Sequence, residues 1–190
     1  MTDFRSNQPN VPLEFKRLHA GAFLPQRGTF GASGFDMRIP DGIVKYKLTA
    51  PDLSRRERDG SAEVAIPAGS CAVIEMGFAI HINDPAWEAQ VRARSGLATK
   101  NLLIIPNGVG TIDSDYQGDV CVALLNLSSV TQTFHSGDRI AQLVFCPVGN
   151  AVFRPVEEFS TDTERGTGGF GSTGVGEVPK PSAPSENADG

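Results

Sequence analysis

Glycine, proline, asparagine and aspartate interrupt the apolar residues of this chain so often that long helices have no room to form. Between these breaks lie short apolar or alternating runs at 64–66, 71–80, 90–93, 120–127, 131–134 and 140–148. Runs of that length and period read as β-strands. Pro67-Ala68-Gly69, Asn83-Asp84-Pro85 and Ser136-Gly137-Asp138 mark turns. Proline fixes φ, glycine accepts positive φ and Asx side chains bond the local backbone. The clearest helical signal follows Arg94, where Ser95 can cap a short turn over 96–100. The expectation is an all-β fold with one short helix.

A chain of 190 residues suits one domain with extensions. Its net charge of -5 excludes broad, sequence-independent nucleic-acid binding, which needs clustered Lys and Arg. No apolar run approaches the roughly 20 residues that span a bilayer, so no membrane partner is expected. Cys71, Cys121 and Cys146 are odd in number and lie in apolar segments, and no signal peptide opens the chain. Reduced, buried thiols in the cytoplasm are the expectation. His19, His81 and His135 are scattered without a ligand partner at metal spacing, which argues against zinc. Residues 43–62, charged around Arg55, Arg56 and Arg58, lack a buried face and read as a surface loop. A contact with a regulatory protein through that loop is the alternative. Residues 175–190, rich in Pro, Ser, Gly, Glu and Asp, read as a disordered tail.

The segment from Asn107 to Gly118 places a carboxylate able to orient water, Asp113, three positions before an aromatic ring able to floor a sugar, Tyr116. The amide of Asn107 carries both a donor and an acceptor for a base edge. Asp113 would serve equally well in an Asx turn, and Asp115 suits that structural role. Arg94-Ser95-Gly96 supplies a guanidinium, a hydroxyl and an unshielded N–H, which suit phosphate oxygens, although Arg-Ser-Gly is also a common turn. The segment from Arg165 to Gly174 is a glycine-rich arm with an arginine, a ring and two hydroxyls. Together these groups suit a nucleoside triphosphate, whose roughly four negative charges call for donors and a bridging magnesium ion.

Gly31 to Met37, Arg94 to Ala98, Asn107 to Gly118, Gly137 to Gln142 and Arg165 to Gly174 resemble, in order, all five motifs of the trimeric deoxyuridine triphosphatases (dUTPases). The resemblance implies a distorted jelly-roll or β-barrel over residues 1–164, with 43–62 inserted, and an active-site arm at 165–174. It implies a homotrimer with three shared active sites that hydrolyses dUTP to dUMP and pyrophosphate. In that comparison Asp113 holds the nucleophilic water as general base and Gln142 lies near the phosphates and water. Tyr116 stacks beneath the deoxyribose, while Asn107 and the backbone of Gly110, Thr111 and Ile112 meet uracil. Arg94, Ser95 and Gly96 bind phosphate, Arg165 meets the γ-phosphate, Phe170 covers the base, and Gly171, Ser172 and Thr173 complete the arm's contacts. Asp36 matches a carboxylate that reaches Mg²⁺ through water. The dCTP deaminases are similar in fold and in several motifs, but they need a glutamate where this chain has Ala123.

Overall fold

The computed structural model describes residues 10–61 and 63–169, with backbone only at 59–61. The chain divides into two compact units, Met1–Asn150 and Ala151–Gly190. Among the described residues of the first unit, strands pair antiparallel and one helix, α1 (Ser95–Lys100), interrupts them. One sheet orders β10 (Gly110–Ile112), β8 (Trp87–Ala93), β13 (Arg139–Pro147) and β2 (Phe35–Arg38). A second orders β4 (Arg55–Ser61), β3 (Val44–Thr49), β6 (Cys71–Glu75), β11 (Cys121–Asn126) and β9 (Leu103–Ile104). Two ribbons pair β1 (Glu14–Arg17) with β7 (Phe78–His81) and β5 (Glu63–Ile66) with β12 (Gln132–His135). The unit is a distorted antiparallel barrel of jelly-roll type, as expected.

Period-two patterning builds the core. On β11 the side chains of Val122 and Leu124 are buried, while Cys121 and Ala123 face the other way. Val91 of β8, Met37 of β2 and Ala141 and Leu143 of β13 are likewise buried. Asn126, at 0% exposure the most buried polar residue, knits three segments together. Its Nδ2 donates to the carbonyls of Ile66 and Val130, and its Oδ1 accepts from the N–H and hydroxyl of Ser128.

Four expectations need correction. Residues 43–62 are mostly not a loop: β3 and β4 form a hairpin in which Val44, Tyr46 and Leu48 are buried. Arg56 and Arg58 stand opposite Leu48 and Tyr46 and share their face, so charge hides the strand pattern. β4 is a sheet edge, where such charges discourage pairing with another chain. Second, Arg94 occupies the cap position of α1 and no side chain caps it; Ser95 is the first helical residue. Third, the thiols are free but not fully buried: Cys121 is exposed as a residue, although its sulfur lies against the Asp119 carbonyl at 3.6 Å and is partly desolvated there. Fourth, the barrel unit ends at Asn150 rather than residue 164.

In the second unit the described residues form no strand or helix. Gly166 N–H donates to the Thr163 carbonyl at 2.9 Å and Gly168 N–H to that of Arg165 at 3.0 Å, giving two successive turns. Val152, Phe153 and Phe159 are strongly exposed. The expectations for Phe170, Gly171, Ser172, Thr173 and the 175–190 tail fall outside the described residues. No helix among the described residues is long and apolar enough to cross a membrane.

Asn126→Ala should lower stability by about 2 kcal/mol or more, because the buried Ile66 carbonyl, the part-buried Val130 carbonyl and the Ser128 donors lose their partner. Urea unfolding midpoints measure this; an unchanged midpoint would show that the network contributes nothing net.

Candidate active site

A pocket of about 260 Å³ opens between the outward face of β6 and β11 and the segment from Ile105 to Tyr116. Val73 and Ala123, paired across β6 and β11, form part of its wall. Asn107, Gly110, Thr111, Ile112, Asp113 and Tyr116 all line it, so the sequence segment expected to hold the base and sugar converges on one cavity. β10 brings its residues there by pairing with β8, with Gly110 opposite Val91. Beyond β10 the chain turns, and Tyr116 N–H donates to the Asp113 carbonyl at 3.2 Å.

That turn therefore closes through main-chain atoms. Among the described residues none hydrogen-bonds the carboxylate of Asp113 or Asp115, so neither makes the Asx turn that the sequence left open. The Asp113 carboxylate is exposed at the pocket edge, free to accept a hydrogen bond from water. The Tyr116 hydroxyl donates to the Asp119 carbonyl at 2.9 Å. Burial, then the neighbouring Cys121 and Asp119, raise the Tyr116 phenol above its ordinary range, which keeps it a donor.

Two wall residues escaped the sequence reading. Asp119 is half-buried; desolvation and then the Glu75 charge raise its carboxyl, while backbone N–H groups, that of Gly77 first, oppose the rise. Cys121 lines the pocket beside it, and burial, Asp119 and Glu75 push its thiol up to about 11. Asp119 directly follows the Tyr-x-Gly triplet, and only its contact with the distant Gly77 reveals a role.

The residues of the first unit expected to meet phosphate gather elsewhere, at the β2–β13–β8 part of the four-stranded sheet and the start of α1. Gln142 of β13 stands between Asp36 of β2 and Arg92 of β8 in register, on the face opposite the buried Met37, Ala141 and Val91. The Asp36 carboxylate, 17% exposed, bridges two guanidiniums: Arg94 Nε at 3.2 Å and Arg139 Nη1 at 3.0 Å. Arg94 also donates to the Arg139 carbonyl at 3.1 Å, so Arg139 meets this cluster through both its side chain and its main chain. Gln142 Nε2 donates to the Ala93 carbonyl at 3.0 Å, and its carboxamide oxygen lies where a Cβ on Gly34 would be. Only glycine leaves Gln142 that place. Ser95 and Gly96 are exposed at the start of α1, with open space around Gly96.

None of Arg94, Ser95, Gly96, Gln142 or Asp36 lines the pocket that holds Asp113 and Tyr116. Arg165 belongs to the second unit, where its Nε donates to the Gly168 carbonyl at 3.0 Å. Among the described residues no group of three or more His, Cys, Asp or Glu converges into a metal cage. A hydrated Mg²⁺ that leans on phosphate oxygens needs no such cage, and both oxygens of the Asp36 carboxylate are already engaged by arginines.

A barrel with an amide, a carboxylate and a phenol around one pocket, and a separate arginine-rich rim, has the chemistry of a nucleotide-binding all-β protein. A family model described as dUTPase matches residues 60–174, beginning near the end of β4. The chain belongs to the dUTPase family. It is 40% identical over 169 residues to the deoxyuridine 5'-triphosphate nucleotidohydrolase of Heliobacterium modesticaldum, spanning 89% of this chain and 100% of that protein. It is 41% identical over 167 residues to the enzyme of that name from Glaesserella parasuis, spanning 88% and 97%. Among solved structures, the dUTPase of Staphylococcus bacteriophage 80alpha with dUPNHPP is similar with a TM-score of 0.69 and 25% identity, covering 86% of this chain and 98% of that one. A phage phi11 dUTPase variant described with a coordinated structural Mg(II) ion has a TM-score of 0.62 at 21% identity, covering 78% and 99%.

With Cys71 and Cys146 replaced by serine, Cys121 should react slowly with iodoacetamide near neutral pH, because only its thiolate attacks. The rate should keep rising with pH toward about 11. A rate that levels off near the ordinary thiol value of 9.0 would contradict the raised thiol.

Proposed function

We propose that this chain hydrolyses dUTP to dUMP and pyrophosphate in the cytoplasm, by attack of water on the α-phosphorus. The observation that carries the reading is the unengaged Asp113 carboxylate on a pocket shared with Asn107, Tyr116 and the β10 backbone. Asp113 orients the water and takes its proton; the new P–O bond forms as the bond from the α-phosphorus to pyrophosphate breaks. Uracil meets Asn107 and the backbone of Gly110 to Ile112. Tyr116 lies beneath the deoxyribose and leaves no room for a 2′-hydroxyl. Gln142 stands near the water, and Arg94, Ser95 and Gly96 hold phosphate oxygens. Arg165 meets the γ-phosphate, with Phe170 over the base and Gly171, Ser172 and Thr173 completing the arm. Mg²⁺, when bound, neutralises phosphate charge, with Asp36 reaching it through water. Ala123 sits on the pocket wall where a deaminase would need its glutamate, which supports hydrolysis over deamination.

We further propose a homotrimer whose sites are shared between subunits. The separation of the pocket from the arginine rim supports this, since one chain does not bring both halves into one cavity. The exposed Val152, Phe153 and Phe159 also support it, because such side chains favour burial against a neighbour.

Asp113→Asn keeps the size of the side chain and removes its proton-accepting charge. Pyrophosphate release should fall by at least about 10²-fold with little change in dUTP affinity. Near-normal turnover in an intact assembly would move the base elsewhere. Subunits truncated after Glu164, mixed with Asp113→Asn subunits and allowed to exchange, should give more activity than the two parents together. Verified exchange without recovery would overturn the shared-site arrangement.

A further inference from the structure

We propose that Asp119 is a positioning residue for sugar discrimination: its side chain clamps the segment after Tyr116 to the β6–β7 turn and so fixes where the Tyr116 ring stands. The inference rests on the reading above, in which that ring lies beneath the deoxyribose.

The clamp is visible bond by bond. Asp119 Oδ1 accepts from Gly77 N–H at 3.0 Å. On either side, Met76 N–H donates to the Val120 carbonyl at 3.0 Å and Val120 N–H to the Phe78 carbonyl at 2.8 Å. The side chain therefore fills the place at Gly77 between two main-chain bonds, completing the seam. Gly77 is itself immobilised, since its carbonyl accepts from Leu18 and His19 N–H groups at 2.9 and 3.0 Å. Its φ of 71° and the approach of His19 Cβ to 2.9 Å of a would-be Cβ require glycine there.

Tyr116 is mounted on this seam. Its hydroxyl donates to the Asp119 carbonyl, and its ring lies against Gly118, where an added Cβ would come within 2.6 Å of Cζ. Its own N–H is held by the Asp113 carbonyl. A ring that is 44% exposed has little packing to orient it, so these polar tethers set its position. Burial and the Glu75 charge raise the Asp119 carboxyl, and the hydrogen bond from Gly77 N–H is the first of the contacts that oppose that rise.

The test compares kcat/KM for UTP and dUTP, by pyrophosphate release, in the wild type, Asp119→Ala, Asp119→Asn, Tyr116→Phe and the double variant Tyr116→Phe/Asp119→Ala. Losing the clamp should raise the UTP-to-dUTP ratio about tenfold or more, since the veto on the 2′-hydroxyl is steric. Asp119→Asn, whose amide oxygen still accepts from Gly77, should restore most of the discrimination. Tyr116→Phe keeps the ring but loses its tether, so the ratio should rise there too. The double variant should rise no further than the larger single one, because both act on one ring. An unmoved ratio in Asp119→Ala, or multiplying effects in the double variant, would overturn the inference while leaving dUTP hydrolysis standing. If Asp119→Ala does not assemble, Tyr116→Phe decides: a raised ratio supports the mount and an unchanged one overturns it. A wild type with no preference for dUTP would overturn the functional reading and this inference with it.

Discussion

The register of β11 is the constraint on which the rest of the barrel depends. One face of this strand supplies Val122, Leu124 and Asn126 to the interior, and the other supplies Cys121 and Ala123 to the pocket. Because side chains alternate with period two, a slip of one residue would bury the pocket wall and expose the core. Five paired positions with β6 and two with β9 hold the strand. Asn126 pins its end, since its hydrogen bonds to Ile66, Val130 and Ser128 have no substitute one residue away.

Much of this was legible in the sequence, and the failures have physical reasons. The runs that became β5, β6, β7, β8, β11, β12 and β13 show clear apolar patterning, and the turns between them carry Gly, Pro or Asx. β9 and β10, of two and three residues, are too short for a period to stand out, and β1 carries a single apolar residue, Phe15, among charged ones. β3 and β4 were obscured because the arginines of an edge strand overhang the core and look like a solvated loop. Within the site, the groups from Asn107 to Tyr116 were readable because they are contiguous and the structure gathers them around one cavity. The Asp36, Arg94 and Arg139 cluster was not, because its members come from three strands or strand ends and meet only through register. The same holds for Asp119 and Gly77, which are 42 residues apart.

The pocket lies between the two sheets, walled by β6 and β11 on one side and by β8 and β10 on the other, and its half-apolar lining suits a planar base and a sugar. The β2–β13 end of the four-stranded sheet carries the cations and the amide that suit an anion. The same strand pairing therefore holds the two chemistries at separate places of one unit.

The Asp36 bridge has a consequence for how an anion meets this surface. The chain as a whole is acidic, with a net charge of -5, and such a body repels a polyanion at long range. Around Asp36, however, two guanidiniums face one carboxylate, leaving the rim with one surplus positive charge held in fixed geometry. An anion near such a surface meets repulsion from the acidic body as a whole and local attraction at this rim. Added salt screens the distant repulsion first and the local attraction last, because contacts within a few ångströms lie inside the Debye length of about 8 Å. Salt therefore relieves the repulsion that the overall charge produces while leaving contacts at the rim largely intact.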